Sequence, residues 1–115
     1  MDSSAPPDRL PGVSNQAAID TVRAELVPRL RRLHACLAEV ENWIGVDFAR
    51  ETIASLQHAD SERDLQHVFT VQLGASGPLA IAAGFPPTAV ALLDDILATA
   101  QQLAMTFAAP THRKH

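Results

Sequence analysis

PPTAVALLDDILATAQQLAMTFAAP, residues Pro86–Pro110, opens on two prolines and closes on a third. Proline fits the first turn of a helix and disrupts its interior, so the three bracket a single helix. At about 100° per residue, Leu92, Leu103, Ile96, Phe107, Ala100, Leu93, Ala104, Leu97 and Val90 fill one arc of roughly 160°. One neighbouring helix does not cover so wide an arc. The expectation is a closing helix that builds the core along one side and meets a second subunit or a partner along the other. Leu92, Ile96, Leu103 and Phe107, at the far edge of the arc, are the candidates for that second contact. Opposite them, Ala91, Ala98 and Met105 form a narrow strip between Asp94–Gln101 and Asp95–Gln102.

Upstream, Ser14 or Asn15 is placed to cap a long helix running to about Ile44 and ended by Gly45. Ile19, Val22, Leu26, Leu30, Leu33, Leu37, Val40 and Ile44 fall within an arc of roughly 80°, a narrow seam. Pro28 removes one hydrogen bond inside this helix, which predicts a bend around Ala24–Pro28. Two helices meeting at Pro28 is the alternative, but both halves keep one continuous face. Arg23 and Arg29 flank the seam on opposite sides, and Glu25 stands four residues before Arg29. Arg29 and Arg32 are candidates for the polar rim of an interface, where arginine is enriched.

Between Asp47 and Leu73 there is neither Gly nor Pro, yet one straight helix would put Phe48, Ile53 and Leu56 opposite Leu65, Val68 and Leu73. A break near Asp60–Ser61, with Ser61 and Asp64 spaced as a capping box, returns both groups to one core. Helices over 47–59 and 61–73 follow, with an uninterrupted helix as the competitor. Residues 74–87 read as a connector with an apolar middle that folds over the bundle end, with room for one short helical turn. The pattern is all-α: a small helical bundle of about four helices (a long kinked first helix, two short ones and a long closing one), expected to be dimeric. Residues 1–13, rich in proline and without periodicity, read as a disordered lead; 14–109 form the bundle; 110–115 read as a basic flexible tail.

A chain of 115 residues makes one domain, and a hydrophobic fraction of 47% supplies a core. Aromatic residues amount to only 4%, and the net charge is −4. Nucleic-acid surfaces need a basic footprint and aromatic platforms, so direct nucleic-acid binding is set aside. Cys36 stands alone, which excludes an internal disulfide and a multi-thiolate zinc site. The expected compartment is the cytoplasm, with no signal peptide, membrane span or membrane association.

Chemistry finds little purchase. The five histidines lack the four-residue helical spacing of a zinc pair. His58 and His67 remain the only candidates for a tertiary metal site, the basis of a metal- or ligand-binding alternative. His34 and Cys36 point about 200° apart on a helix and cannot act as base and nucleophile. His34 is not followed by the lysine and glycine expected of a histidine phosphotransfer domain. Asp94 and Asp95 diverge by about 100° and cannot share a substrate atom. No glycine-rich phosphate loop or nucleophile elbow is present. The expectation is therefore no enzyme and no cofactor or metal.

In size, acidity and layout, with its Arg-flanked seam Ile19–Ile44 and closing helix Pro87–Phe107, the chain resembles the small helical bacterial antiactivators that inhibit LuxR-type quorum-sensing regulators. No signature motif accompanies the likeness, and no functional residue carries over. The resemblance implies a homodimer that captures a transcription regulator's dimerisation surface and keeps it off DNA. The alternative is an acidic chaperone for secretion or assembly that shields an apolar segment of a client.

Overall fold

The computed structural model describes the backbone of residues 5–113 and the side chains of residues 16–106. Among these the chain forms α1 (Ala5–Glu39), α2 (Trp43–His58), α3 (Glu62–His67), a π turn (Val68–Gln72), α4 (Ser76–Ala83) and α5 (Pro87–Arg113), with no strand. The all-α expectation holds, and four of its boundaries change. The stretch read as a disordered lead enters α1 at Ala5, since Pro6 and Pro7 fall in a first turn whose N–H groups lack partners anyway. As expected, α1 continues through Pro28; Ala24 and Pro28 are both exposed, so the carbonyl that proline deprives of a donor can face water. α5 likewise runs through Pro110, read as its stop, to Arg113, and the freed carbonyl belongs to the exposed Thr106. The presumed connector contains a true helix, α4. Pro78 sits in its first turn and Gly84, at φ 69°, ends it.

The largest change is at the end of the first helix. α1 stops at Glu39, six residues before Gly45. The Glu41 N–H donates to Ala38 O (3.0 Å) and the Asn42 N–H to Leu37 O (2.9 Å), the paired bonds of a Schellman cap. Glu41 occupies the left-handed position at φ 56°, where glycine is usual. Gly45 has another reason to be glycine. A Cβ there would lie 2.7 Å from Leu37 Cδ1 and 2.8 Å from Phe85 Cε1, so the first turn of α2 packs directly on both. Asn42 caps α2 by accepting from Gly45 N–H at 3.0 Å, while its Nδ2 donates to Ala83 O at 2.9 Å. One side chain thus joins the α1–α2 turn to the end of α4.

The core runs along α1 through Ile19, Val22, Leu26, Leu30, Leu33 and Leu37, each at most 1% exposed. Their steps of three and four residues are those of one helix face. α2 packs on one side of α1 and α5 on the other; α3 and the π turn lie over α1 and α2. The five-residue step from Val68 to Leu73 fits no α-helical face. Leu73 N–H donates to Val68 O at 2.8 Å, which is one π turn, and both side chains reach the core. The break at Asp60–Ser61 is present: Ser61 Oγ accepts from Asp64 N–H at 3.2 Å. The reciprocal bond runs to Asp60 N–H (3.0 Å to Asp64 Oδ2), not to Ser61's own.

Two arginines staple α1 to its neighbours. Arg23 donates to Leu56 O (2.8 Å), Gln57 O (3.1 Å) and Ala59 O (2.5 Å), capturing the carbonyls at the end of α2. Arg29 donates to Asp95 on α5 at 3.0 Å and to Glu25 on its own helix at 3.1 Å. The molecule is long and thin, 58 × 28 × 18 Å, with a radius of gyration of 16.5 Å. A compact chain of this length would have about 13 Å. The 35-residue α1 alone covers about 52 Å and sets the long axis.

Candidate functional site

The closing helix buries a narrower stripe than its 160° arc. Ala89, Leu93, Ile96 and Ala100 are buried, a four-three-four repeat facing α1. Ile96 is wholly inside the monomer, so it is not available to a second subunit or a partner. Leu92 and Leu103 are partly buried against the same core. The side chain of Phe107 lies outside the described residues. Arg29 is tied to Asp95 and Glu25, whereas Arg32 is exposed. Between Phe69 and Leu73 of the π-turn region and Leu97 and Ala104 of α5 runs a groove of about 200 Å³. Part of the excess arc thus faces another part of the same chain.

The candidate histidines do not converge. His58 Nδ1 lies 2.8 Å from the Ala54 carbonyl in the last turn of α2, and His67 is exposed at the end of α3. Among the described residues no three His, Cys, Asp or Glu side chains are grouped to hold a metal ion. Cys36 is half-buried on α1, and Trp43 begins the next helix. A shallow groove of about 320 Å³ lies between α1 and α2, lined by Arg31, His34, Arg50 and Ile53.

The most distinctive surface is one that the sequence reading had put in the core. Because α1 stops at Glu39, Val40 and Ile44 leave the seam and are 52% and 60% exposed. Trp43, the chain's only tryptophan, is 58% exposed at the first position of α2. These three surround a cleft of about 480 Å³ whose far wall is Ala83, Gly84 and Pro86. Ile81, in the last turn of α4, is 84% exposed. Asn42 fixes the distance between the walls, since its two hydrogen bonds hold α2 and the end of α4 together.

The lining residues lie close to buried ones in the chain: Leu37, Gly45, Val46 and Phe85 are all buried. Several backbone groups around the cleft are already engaged. Gly84 N–H donates to Ile81 O (3.3 Å) and Phe85 N–H to Ala80 O (3.0 Å), a second Schellman cap like the first. The site therefore offers apolar side chains on a hydrogen-bonded frame. Such a site suits contact with another apolar surface. One signal in the sequence pointed to it: Asn42, a preferred N-cap residue, directly precedes the lone Trp43.

No helix among the described residues is long and apolar enough to cross a membrane. Comparison with protein-family profiles, characterised proteins and solved structures finds no match to the chain.

Proposed function

We propose that this chain is a non-catalytic regulatory interaction protein that captures an apolar segment of a partner protein at its Trp43 end. The supporting observation is the clustering of exposed Val40, Trp43 and Ile44 around one preformed cleft, whereas the other exposed large apolar residues, Val71, Ile81, Val90 and Met105, do not line it. Tryptophan is among the residues most enriched at binding hot spots, and walls joined by the two Asn42 hydrogen bonds reduce the ordering cost of association. In its finer form, suggested by the resemblance to antiactivators, the partner is a transcription regulator whose dimerisation surface is occupied.

The test compares wild type with Ile44→Asp in affinity capture from the native cell. Ile44 is exposed, so the variant should keep its helical circular dichroism and lose the partner. A regulator recovered by wild type alone supports antiactivation; an exported client recovered by wild type alone supports the chaperone alternative. Equal recovery by both proteins removes the Trp43 end from the interface. Ile96→Arg is unsuitable for this purpose, because a charge placed at that buried position unfolds the monomer.

A further inference from the structure

We propose that the occupant of the Trp43 cleft is a basic amphipathic helix, with apolar side chains seated between Trp43 and Pro86 and Lys or Arg on its flanks. This rests on the reading of the cleft as a docking site. The sign of the charge comes from what surrounds it. Glu39, Glu41 and Asp47 are exposed at this end of the bundle. No Lys or Arg occurs between Leu33 and Ala49, nor anywhere between Asp64 and His112, so neither wall of the cleft carries a cation. Arg50, one turn further along α2, is engaged by Asp47. Asp47 is thereby neutralised, whereas Glu39 and Glu41 form no ion pair among the described residues; this acidic rim beside apolar side chains complements a cationic rim around an apolar stripe.

Helix stability does not account for the acidic residues. The last turn of α1 holds Glu39 and no basic residue, although the negative end of the helix dipole favours cations there. Glu41 holds a left-handed position that glycine occupies without strain. The helical form of the partner follows from the backbone. An extended peptide adds along a row of unpaired N–H and C=O groups; the N–H groups of Glu41, Asn42, Gly45, Gly84 and Phe85 are already bonded and Pro86 has none, so no such row is offered. A helix satisfies its own backbone and presents only side chains. A second copy docking by this same face would set Glu39 and Glu41 against their equivalents, and an anionic lipid surface would meet the same repulsion.

The intact chain carries its own reporter, because Trp43 is its only tryptophan and it has no tyrosine. The probes are two synthetic helical peptides of about five turns, both without aromatic residues. They share one leucine stripe and differ only in Lys or Glu at the flanking positions. Expected is a saturable blue shift of Trp43 emission with the Lys peptide, on the order of tenfold tighter than with the Glu peptide at low salt, and closer to parity at high salt. The double variant Glu39→Lys, Glu41→Lys should reverse the preference.

Equal binding of both peptides at low salt, or tighter binding of the Glu peptide, overturns the charge assignment and leaves the docking site standing. Failure of both peptides to shift the emission overturns the docking site itself. A blue shift on concentrating the protein alone, with a doubled mass in solution, assigns the cleft to a second copy and overturns the proposal. An equal shift with anionic vesicles, absent with neutral ones, assigns it to lipid and does the same.

Discussion

Replacing Arg23 should loosen the whole α1–α2 pair, because its guanidinium serves three carbonyls at the end of α2: Leu56, Gln57 and Ala59 at 2.8, 3.1 and 2.5 Å. A helix leaves its last carbonyls short of partners, although Leu56 O also accepts from the Ala59 N–H at 3.3 Å, and the positive charge sits favourably on the helix dipole. A charge-assisted bond contributes about 1.5–3 kcal/mol when shielded from water. The Arg23 side chain is 30% exposed, so water recovers part of each bond on removal. The loss expected for Arg23→Ala is about 2–3 kcal/mol for the set, or roughly 8–12 °C in Tm for a domain of this size. Arg23→Met separates the carbonyl bonds from the packing of the aliphatic stem and should lose most of the same amount. Arg23→Lys should fall between, since an ammonium is a point donor and does not span three acceptors as a planar fork does. Urea unfolding followed by circular dichroism gives the free energies, and amide exchange in the last turn of α2 gives the location. If the methionine variant is within about 0.5 kcal/mol of wild type, the three bonds carry no stability and the argument fails.

Three further outcomes follow from local geometry. Gly45→Ala should destabilise by about 1–2 kcal/mol despite alanine's better helix propensity, because the new Cβ meets the buried Leu37 and Phe85. Gly77→Ala in α4, with nothing within 4 Å, should be neutral or stabilising; a stabilising Gly45→Ala in the same thermal melts would disprove the close packing. The backbone N–H of Asp60 holds the Asp64 carboxyl below its ordinary 3.8, helped by the Asp60 and Ser61 side chains and the charge of His67. A depressed folded pKa gives stabilisation that is full above the unfolded value and is lost as pH falls from about 3.8 through the folded one. Asp64→Asn should therefore flatten the acid limb of urea midpoint against pH in that window, and an unchanged limb would contradict the assignment. Glu41→Gly relieves left-handed strain of about 1–2 kcal/mol and adds unfolded-state entropy worth about 0.4–1, a net gain of about 0.5–1 kcal/mol by urea titration. Any loss of stability in this variant would mean that the φ of 56° is not strained.

The bundle was legible where periodicity and capping agreed. The phase conflict between Leu56 and Leu65, together with Ser61, located the break that α2 and α3 show. The wheel also set Arg23 and Arg29 on opposite sides of the α1 seam, and each reaches a different neighbouring helix. The turn at residues 40–42 was not legible. Val40 and Ile44 keep the spacing of the seam, so the hydrophobic pattern continues through a point where the backbone turns. Glycine at 45 looked like the stop, while the left-handed residue is a glutamate that no propensity rule selects. One member of the candidate interface on α5, Ile96, was misread for a related reason. A helical wheel gives the width of an apolar face and says nothing of how many neighbours cover it. Ile96 is taken by the chain's own core, and Leu97 faces the π-turn region that the sequence presented as plain helix.

The departures from local rules gather at one end of the molecule. α1 ends in glutamate where the dipole favours a cation, and its cap is a strained glutamate where glycine fits. The adjoining turn exposes the only tryptophan with an isoleucine and a valine beside it. Each choice lowers stability or solubility, and each has a simple remedy: lysine at 39, glycine at 41, a polar residue at 43 or 44. Elsewhere the described chain departs less often, with Val71 and Met105 exposed and Gln72 Oε1 buried without a partner. Its two buried polar side chains, Thr52 and Ser76, are bonded to Phe48 O and Leu73 O, and the α2 carbonyls are capped by Arg23. Natural sequences break local consistency mainly at functional sites. Because these departures share one cleft and combine acidic charge with apolar exposure, a common cause accounts for them better than separate accidents do. A single surface that binds a cationic amphipathic helix would select glutamate at 39 and 41 and apolar side chains at 40, 43 and 44.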